Sequence, residues 1–331
     1  MIKIPKRYSK KLKWGVAGCG RFAEHTFIPT IKLMRKSVLT SLYSKDINRV
    51  KNLAEKFGIE KYHNTYDDFL KSDIEAVYIS SANKNHYEQV IQAAKAGKHI
   101  LCEKPLAMTS AEAEEMVKVC QQNNVQLSVN YVYRFHPLII KSKEIVDNQM
   151  LGKIVLINLS FNIDSPPGSN FRFTKSESGG GALRDIGTHM IDLLRYVGGE
   201  IVSINGVVDN VIYKSEVEDF ACAIVKFENG GYGFFNVSFN SKKSFNRIEI
   251  LGHKGSLSLD NLIGGKLLPA KLTILLEGEG KKAFRKRGNR QFNLLKSVQK
   301  SFINNQTPLV TGYDGLINMK LMEELESNAF N

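Results

Sequence analysis

At 331 residues, 43% hydrophobic and 24% charged, the chain has the length for two cores and the composition of an ordinary packed protein. No apolar run nears the roughly 20 residues of a membrane span. Four scattered cysteines, Cys19, Cys102, Cys120 and Cys222, with no Cys-x-x-Cys pair and no secretion-type N-terminus, argue against a disulfide framework or zinc site, so a cytoplasmic protein is expected.

The net charge of +13 gathers in two acid-free runs: Lys3, Lys6, Arg7, Lys10, Lys11 and Lys13, and Lys281, Lys282, Arg285, Lys286, Arg287 and Arg290. The other 34 of the 46 basic residues balance 33 acids, so the excess reads as a solvated tail and loop, and nucleic acid is not an expected partner.

Leu12 to Ala17 predicts a buried strand, Gly18-Cys19-Gly20 a tight turn, and Arg21 to Lys36 a helix. The first glycine permits the turn, the second lets backbone approach a pyrophosphate, and Ala23 keeps helix and strand close. Free N–H groups at the helix start then face the phosphates. A strand over Val38 to Tyr43 follows, then a helix capped by Asp46 and stopped by Gly58, and a short helix from Thr65 to Lys71. Strand Glu75 to Ser80, helix Asn85 to Ala96, strand His99 to Cys102, helix Ser110 to Asn123 and strand Gln126 to Asn130 complete the alternation. Repeated strand-helix units predict a doubly wound parallel α/β sheet with ligand bound at the carboxyl ends of its strands.

After the second strand, Ser44 stands where NAD enzymes commonly carry an acid for the ribose, about 20 residues past the glycines. No carboxylate there repels a 2′-phosphate, while Ser44, Lys45 and Arg49 offer a hydroxyl and two cations. NADP is therefore expected over NAD; should Lys45 and Arg49 be merely solvated helix-start residues, the choice stays open. Glu103-Lys104-Pro105, following the strand His99 to Cys102, places a lysine at the carboxyl end of the sheet, with the proline fixing the turn through a trans or cis bond.

Four segments together resemble the Gfo/Idh/MocA (glucose-fructose oxidoreductase and inositol dehydrogenase) family: Gly15 to Ala23, Asn83-Lys84-Asn85-His86, Ala96 to Ala107, and Asn130-Tyr131-Val132-Tyr133-Arg134-Phe135-His136-Pro137. The resemblance runs nearly end to end. Ser81-Ala82-Asn83 departs from the family's usual Thr-Pro-Asn, and Ser44 from the Asp of its NAD-using members. The resemblance implies cofactor contacts from Gly18, Cys19, Gly20, Arg21, Phe22, Ser81, Asn83, His86, Glu103, Lys104 and Asn130.

Beyond Gly152 the pattern changes. Ile154 to Phe161 suggests a strand, and the polar stretch Asp164 to Ser178 is long enough to be functional, with Arg172 a candidate for substrate. Gly179-Gly180-Gly181 then enters a helix carrying Asp185 and His189, four apart and so on one face. An imidazole beside a carboxylate suits proton exchange near neutral pH. Asp192 continues that face, but three ligands within one helix converge poorly, and no metal is expected. Strands are predicted over Ile204 to Ile212, Phe220 to Phe227, Tyr232 to Phe239, Arg247 to Leu251 and Gly255 to Leu259. The run Lys281 to Arg290 reads as disordered, and helices near Asn293 to Asn304 and Gly312 to Ser327 close the chain.

The expected architecture is a basic extension (1–11), a Rossmann domain (12–130) and an α+β domain (131–331) with a large, mainly antiparallel open sheet. Its C-terminal helices are placed to return to the first domain. The resemblance implies a catalytic group of Lys104, Asp185 and His189; the substrate cleft is expected to draw on Asp185 and His189, on Arg172 from the polar loop, and on Tyr131, Tyr133 and Arg134 just past the last sheet strand, at least one of which is expected to pack instead. The expected activity is hydride transfer between nicotinamide and a carbinol or ketone carbon of a sugar-like substrate, in a dimer or tetramer formed through the C-terminal sheet. The alternatives are an NAD-dependent glycosidase working by transient oxidation and elimination, and a cofactor-sensing regulator without turnover.

Overall fold

Strand β1, Leu12–Ala17, forms where the sequence is apolar enough to be covered on both faces, and Trp14, Val16 and Ala17 are fully buried. The computed structural model describes residues 11–262 and 269–329, so residues 1–10 of the expected basic extension lie outside the described residues. After the glycine turn the chain makes a wide π-type turn, Ala23–Phe27, and one turn of helix α1, Ile28–Ile31. The uninterrupted helix expected to Lys36 is not formed. Pro29 withholds an N–H within it, and the N–H groups of Leu33 and Met34 fall back to the carbonyls of Thr30 and Ile31 at 3.1 and 3.0 Å, tightening its end.

Strand β2 spans Ser37–Tyr43. Helix α2, Ile47–Phe57, starts where Asp46 accepts a hydrogen bond from the Arg49 N–H and stops at Gly58, φ 61°. Then follow β3 (Lys61–His63), α3 (Tyr66–Lys71), β4 (Ala76–Ile79), α4 (His86–Lys95), β5 (His99–Cys102), α5 (Ser110–Gln122) and β6 (Leu127–Val129). The six strands are parallel in the order β3-β2-β1-β4-β5-β6. The order reverses between β1 and β4, the switch point at which such sheets bind ligands.

Helix α6, Pro137–Asp147, has no counterpart among the sequence expectations although Pro137 and the His136 cap mark its start. The remaining elements are β7 (Ile154–Asp164), α7 (Lys175–Ser178), α8 (Thr188–Gly198), β8 (Ile201–Asp209), β9 (Phe220–Phe227), β10 (Tyr232–Ser238), β11 (Asn240–Gly252), β12 (Gly255–Asp260), β13 (Ala270–Leu276), β14 (Lys282–Lys286), α9 (Arg290–Ile303) and α10 (Gly312–Ser327). The second sheet runs β14-β13-β12-β11-β7-β10-β9-β8, antiparallel except for the parallel pair β7 and β10. The basic run is ordered, against expectation. Residues 282–286 pair with β13 as the edge strand, where exposed cations discourage further pairing, and Arg290 opens α9.

Helices α9 and α10 return to the first sheet. Phe302 stacks on Trp14 with centroids 5.7 Å apart, the Ser37 hydroxyl donates to Gln299 at 2.7 Å, and the Ser128 hydroxyl donates to the Val310 carbonyl at 2.8 Å.

Candidate active site

A cavity of about 850 Å³ opens where the carboxyl ends of β1, β4, β5 and β6 meet the second sheet. Its floor near β1 is bare backbone. Gly18 has φ 95°, and a Cβ there would stand 2.4 Å from the Ser81 nitrogen, so only glycine fits. A Cβ on Gly20 would meet nothing closer than the Ser80 carbonyl at 3.9 Å, leaving room for a ligand to lie against the turn. Arg49 donates through Nε to the Cys19 carbonyl at 2.6 Å and lines the cavity with Arg21 and Phe22. Cys19 packs inward with its Sγ 3.5 Å from the Tyr43 carbonyl, and burial pushes its thiol up to about 12. Bare glycines and the neighbouring Arg21 and Arg49 guanidinium groups fit a dinucleotide's phosphates. Ser44 and Lys45 follow β2 and do not line the cavity; the Ser44 hydroxyl accepts from the Asp46 N–H at 3.3 Å.

The next loops are held by buried polar groups. His86 spans two of them, its ring nitrogens 3.0 Å from the Pro105 carbonyl and 3.2 Å from the Ser81 carbonyl, and it does not reach the cavity. Asn83 donates to the Ser178 carbonyl at 2.8 Å and so ties the first domain to the loop before the glycine run. Glu103 accepts from Tyr78 and Asn130, and the Lys104–Pro105 bond is cis. Burial raises the Glu103 carboxyl even though these donors and Lys104 oppose it.

The glycine run serves close approach. A Cβ on Gly181 would lie 1.9 Å from the Glu218 carbonyl oxygen, and the Glu218 carboxylate accepts from the N–H groups of Gly181 and Leu183 at 2.8 and 3.0 Å. This pins the start of the helix against the loop before β9 and aims Asp185 and His189 into the cavity. Lys104 Nζ lies 2.5 Å from Asp185 Oδ1 and 2.6 Å from the Asp185 carbonyl oxygen, and Arg172 Nε lies 3.4 Å from the same carboxylate oxygen. Burial alone would raise the Asp185 carboxyl, but the Lys104 and Arg172 cations outweigh it and hold it well below the usual range.

The helix spacing suggests that Asp185 orients His189; in the structure the carboxylate is engaged by the two cations instead. His189 Nδ1 is buried without a hydrogen-bond partner. The ring sits edge-on to Tyr133 and Tyr131, with centroids 4.7 and 5.8 Å apart. Burial, then the Lys104 and Arg290 cations, push its pKa well below the ordinary 6.5 against the opposing charge of Asp185.

Tyr131 and Arg134 are not on the cavity wall. Tyr131 is fully buried against Thr188, 2.8 Å from hydroxyl to hydroxyl. Arg134 makes a bidentate pair with Asp192 at 3.0 and 2.6 Å and also reaches Asp314 at 3.0 Å, so both it and Asp192 are committed to holding α8 against α10. Arg134→Ala would leave Asp192 buried and uncompensated. Its expected cost is about 3–5 kcal/mol of unfolding free energy, read from denaturant midpoints, with the cofactor dissociation constant little changed.

Tyr133, Arg172 and His189 do line the cavity, and so does Arg290, which the sequence reading assigned to a disordered run. The usable signal was Asn289, which caps α9 by accepting from the Phe292 N–H at 3.0 Å.

Residues 12–131 match the family described as an oxidoreductase family with an NAD-binding Rossmann fold, and residues 139–258 match the GFO/IDH/MocA C-terminal domain. The chain is 27% identical over 318 residues to a myo-inositol 2-dehydrogenase of Thermotoga maritima, covering 92% of each. It is 29% identical over 311 residues to a 1,5-anhydro-D-fructose reductase of Ensifer adhaerens, again covering 92% of each. Among solved structures, an aldose-aldose oxidoreductase from Caulobacter crescentus complexed with glycerol superposes with TM-score 0.89 at 25% identity, covering 97% of this chain and 98% of that one.

Proposed function

The chain belongs to the Gfo/Idh/MocA oxidoreductase family, with its NAD-binding Rossmann domain, and on that premise we propose that it moves a hydride to or from a hydroxyl-bearing carbon of a sugar-like substrate. The observation that carries this reading is the convergence of Lys104, from the turn after β5, and His189, from α8, on one cavity whose floor is the glycine turn. Nicotinamide, when bound, supplies or accepts the hydride. Lys104, fixed by the carboxylate Oδ1 and the backbone carbonyl of Asp185, stabilises alkoxide charge at the reacting oxygen and lowers the pKa of a substrate hydroxyl. His189, held neutral by burial and neighbouring cations, accepts the proton that hydroxyl releases. Arg172 steadies Asp185 and faces the substrate from the loop between β7 and α7. The assay is absorbance of reduced cofactor over a panel of sugars and polyols; a panel without turnover in either direction would contradict the redox reading.

NADP is the proposed preference. Ser44 replaces an acid after β2, and Asp46 turns its carboxylate to the Arg49 N–H at 3.0 Å, leaving the Arg49 guanidinium for a 2′-phosphate beyond its Nε bond to Cys19. Titration should give a dissociation constant for NADPH about tenfold below that for NADH, and Arg49→Ala should narrow the gap. Equal or tighter NADH binding would overturn the preference.

The outer face of the second sheet supports self-association. Tyr232, Leu156, Leu251 and Leu275 lie in one cross-strand row and are 36–51% exposed. Sedimentation should show a dimer or tetramer, and Leu251→Glu should shift it to a smaller species. Among the described residues no helix is long and apolar enough to cross a membrane, and the four unpaired cysteines support a cytoplasmic location.

A further inference from the structure

The cavity holds more cation than the chemistry above uses. Around His189 stand Lys104, Arg172 and Arg290, and one carboxylate, Asp185, serves both Lys104 and Arg172. Glu103 also lines the cavity, but Tyr78 and Asn130 both donate to its Oε1, and the Lys104 N–H donates to its Oε2 at 3.3 Å. Among the described residues no carboxylate lies within ion-pair distance of Arg290. Its Nη1 donates to the Leu262 carbonyl at 3.0 Å, and its guanidinium carbon sits 4.5 Å from the centre of the Tyr133 ring, the same ring that meets His189 edge-on.

The dinucleotide's phosphates do not account for Arg290. The glycine cradle follows β1, whereas Tyr133 follows β6, with β4 and β5 lying between those strands in the sheet. A guanidinium seated over an aromatic ring, with donors left over and, among the described residues, no carboxylate beside it, is built to receive an anion. A neutral polyol needs no such group, and its hydroxyls would leave the surplus positive charge uncompensated.

We infer that the sugar-like substrate carries an anionic substituent, a carboxylate or a phosphate, which Arg290 and Arg172 bind in the same cavity as His189. This rests on the redox reading of the site and adds the class of substrate to it. Arg290 is a specificity residue, and its positive charge adds to the burial and the Lys104 charge that lower the His189 pKa.

The test uses full-length protein loaded with NADP⁺ and two matched sets: D-glucose, D-glucuronate and D-glucose 6-phosphate, and D-galactose, D-galacturonate and D-galactose 6-phosphate. Dissociation constants come from calorimetry and turnover from absorbance. At least one charged member is expected to bind about tenfold or more tightly than its neutral parent, and that advantage should shrink at about 0.5 M salt. The uronate and phosphate arms separate the two sources of negative charge. Arg290→Gln is expected to reduce the charged-to-neutral ratio about tenfold, with Arg290→Lys retaining part of it. Arg172→Gln, on an exposed loop, gives the same readout should Arg290→Gln fold poorly. No preference for charge in either set, or a ratio unmoved by these variants, would overturn the inference. Turnover of neutral sugars with no charge preference would overturn it while sparing the redox reading; a charge preference in binding without turnover of any sugar would do the reverse.

Discussion

Lys104→Ala is expected to lower kcat/KM by about 10²–10³-fold while leaving the cofactor dissociation constant within a few-fold of the parent. The ammonium is held in place by Asp185 through its carboxylate Oδ1 at 2.5 Å and its backbone carbonyl at 2.6 Å, and its role in the proposed chemistry is confined to the transition state, where charge builds on the substrate oxygen. Removing it also leaves the Asp185 carboxylate with Arg172 alone, 3.4 Å away, so part of any loss can arise from a disturbed site. Lys104→Met combined with Asp185→Asn separates the two effects. Without a buried unpaired charge the double variant should recover thermal stability but not turnover. A double variant that regained both would remove Lys104 from the chemistry.

His189→Ala should reduce kcat by about 10²–10⁴-fold, the range for loss of a positioned proton acceptor. The pH dependence identifies the role more sharply than the size of the loss. Because burial, Lys104 and Arg290 lower the imidazole's pKa well below 6.5, the group is already deprotonated at neutral pH. In the oxidation direction kcat/KM should therefore stay level as pH falls through 6.5 and drop only near the depressed pKa. Arg290→Gln removes one of the positive charges and should move that drop upward. An acid limb at 6.5 that Arg290→Gln leaves in place would assign the proton transfer to another group.

How much of this is legible in the sequence depends on how far apart the interacting residues lie along the chain. The parallel sheet is written locally: glycine turn, Asp46 cap, Gly58 stop and the four-residue apolar strands each sit within one short window, and each forms where expected. Short β3 carries too few residues for periodicity to register, and the strand-like content of 270–286 is diluted by cations that an edge strand tolerates. The parallel pairing of β7 with β10 depends on an excursion through α8 that no local pattern encodes.

The site divides the same way. Lys104 and His189 are marked by their own neighbours, and both reach the cavity. What each one touches is decided by partners far along the chain: Asp185 answers to Lys104, 81 residues earlier, rather than to the histidine four residues later. Arg134 looks like a cleft residue until Asp192 and Asp314, 58 and 180 residues away, are brought beside it. Arg290 hides in a charged run because its defining contact, the Tyr133 ring, belongs to the other end of the fold.

The most direct measurement is a crystal structure of the protein soaked with NADPH. The expected density has pyrophosphate over Gly18–Gly20 and the nicotinamide ring between the Lys104 ammonium and the His189 imidazole, with space for a carbinol carbon against its C4. Nicotinamide density outside that gap, with amine and imidazole facing empty solvent, would contradict it.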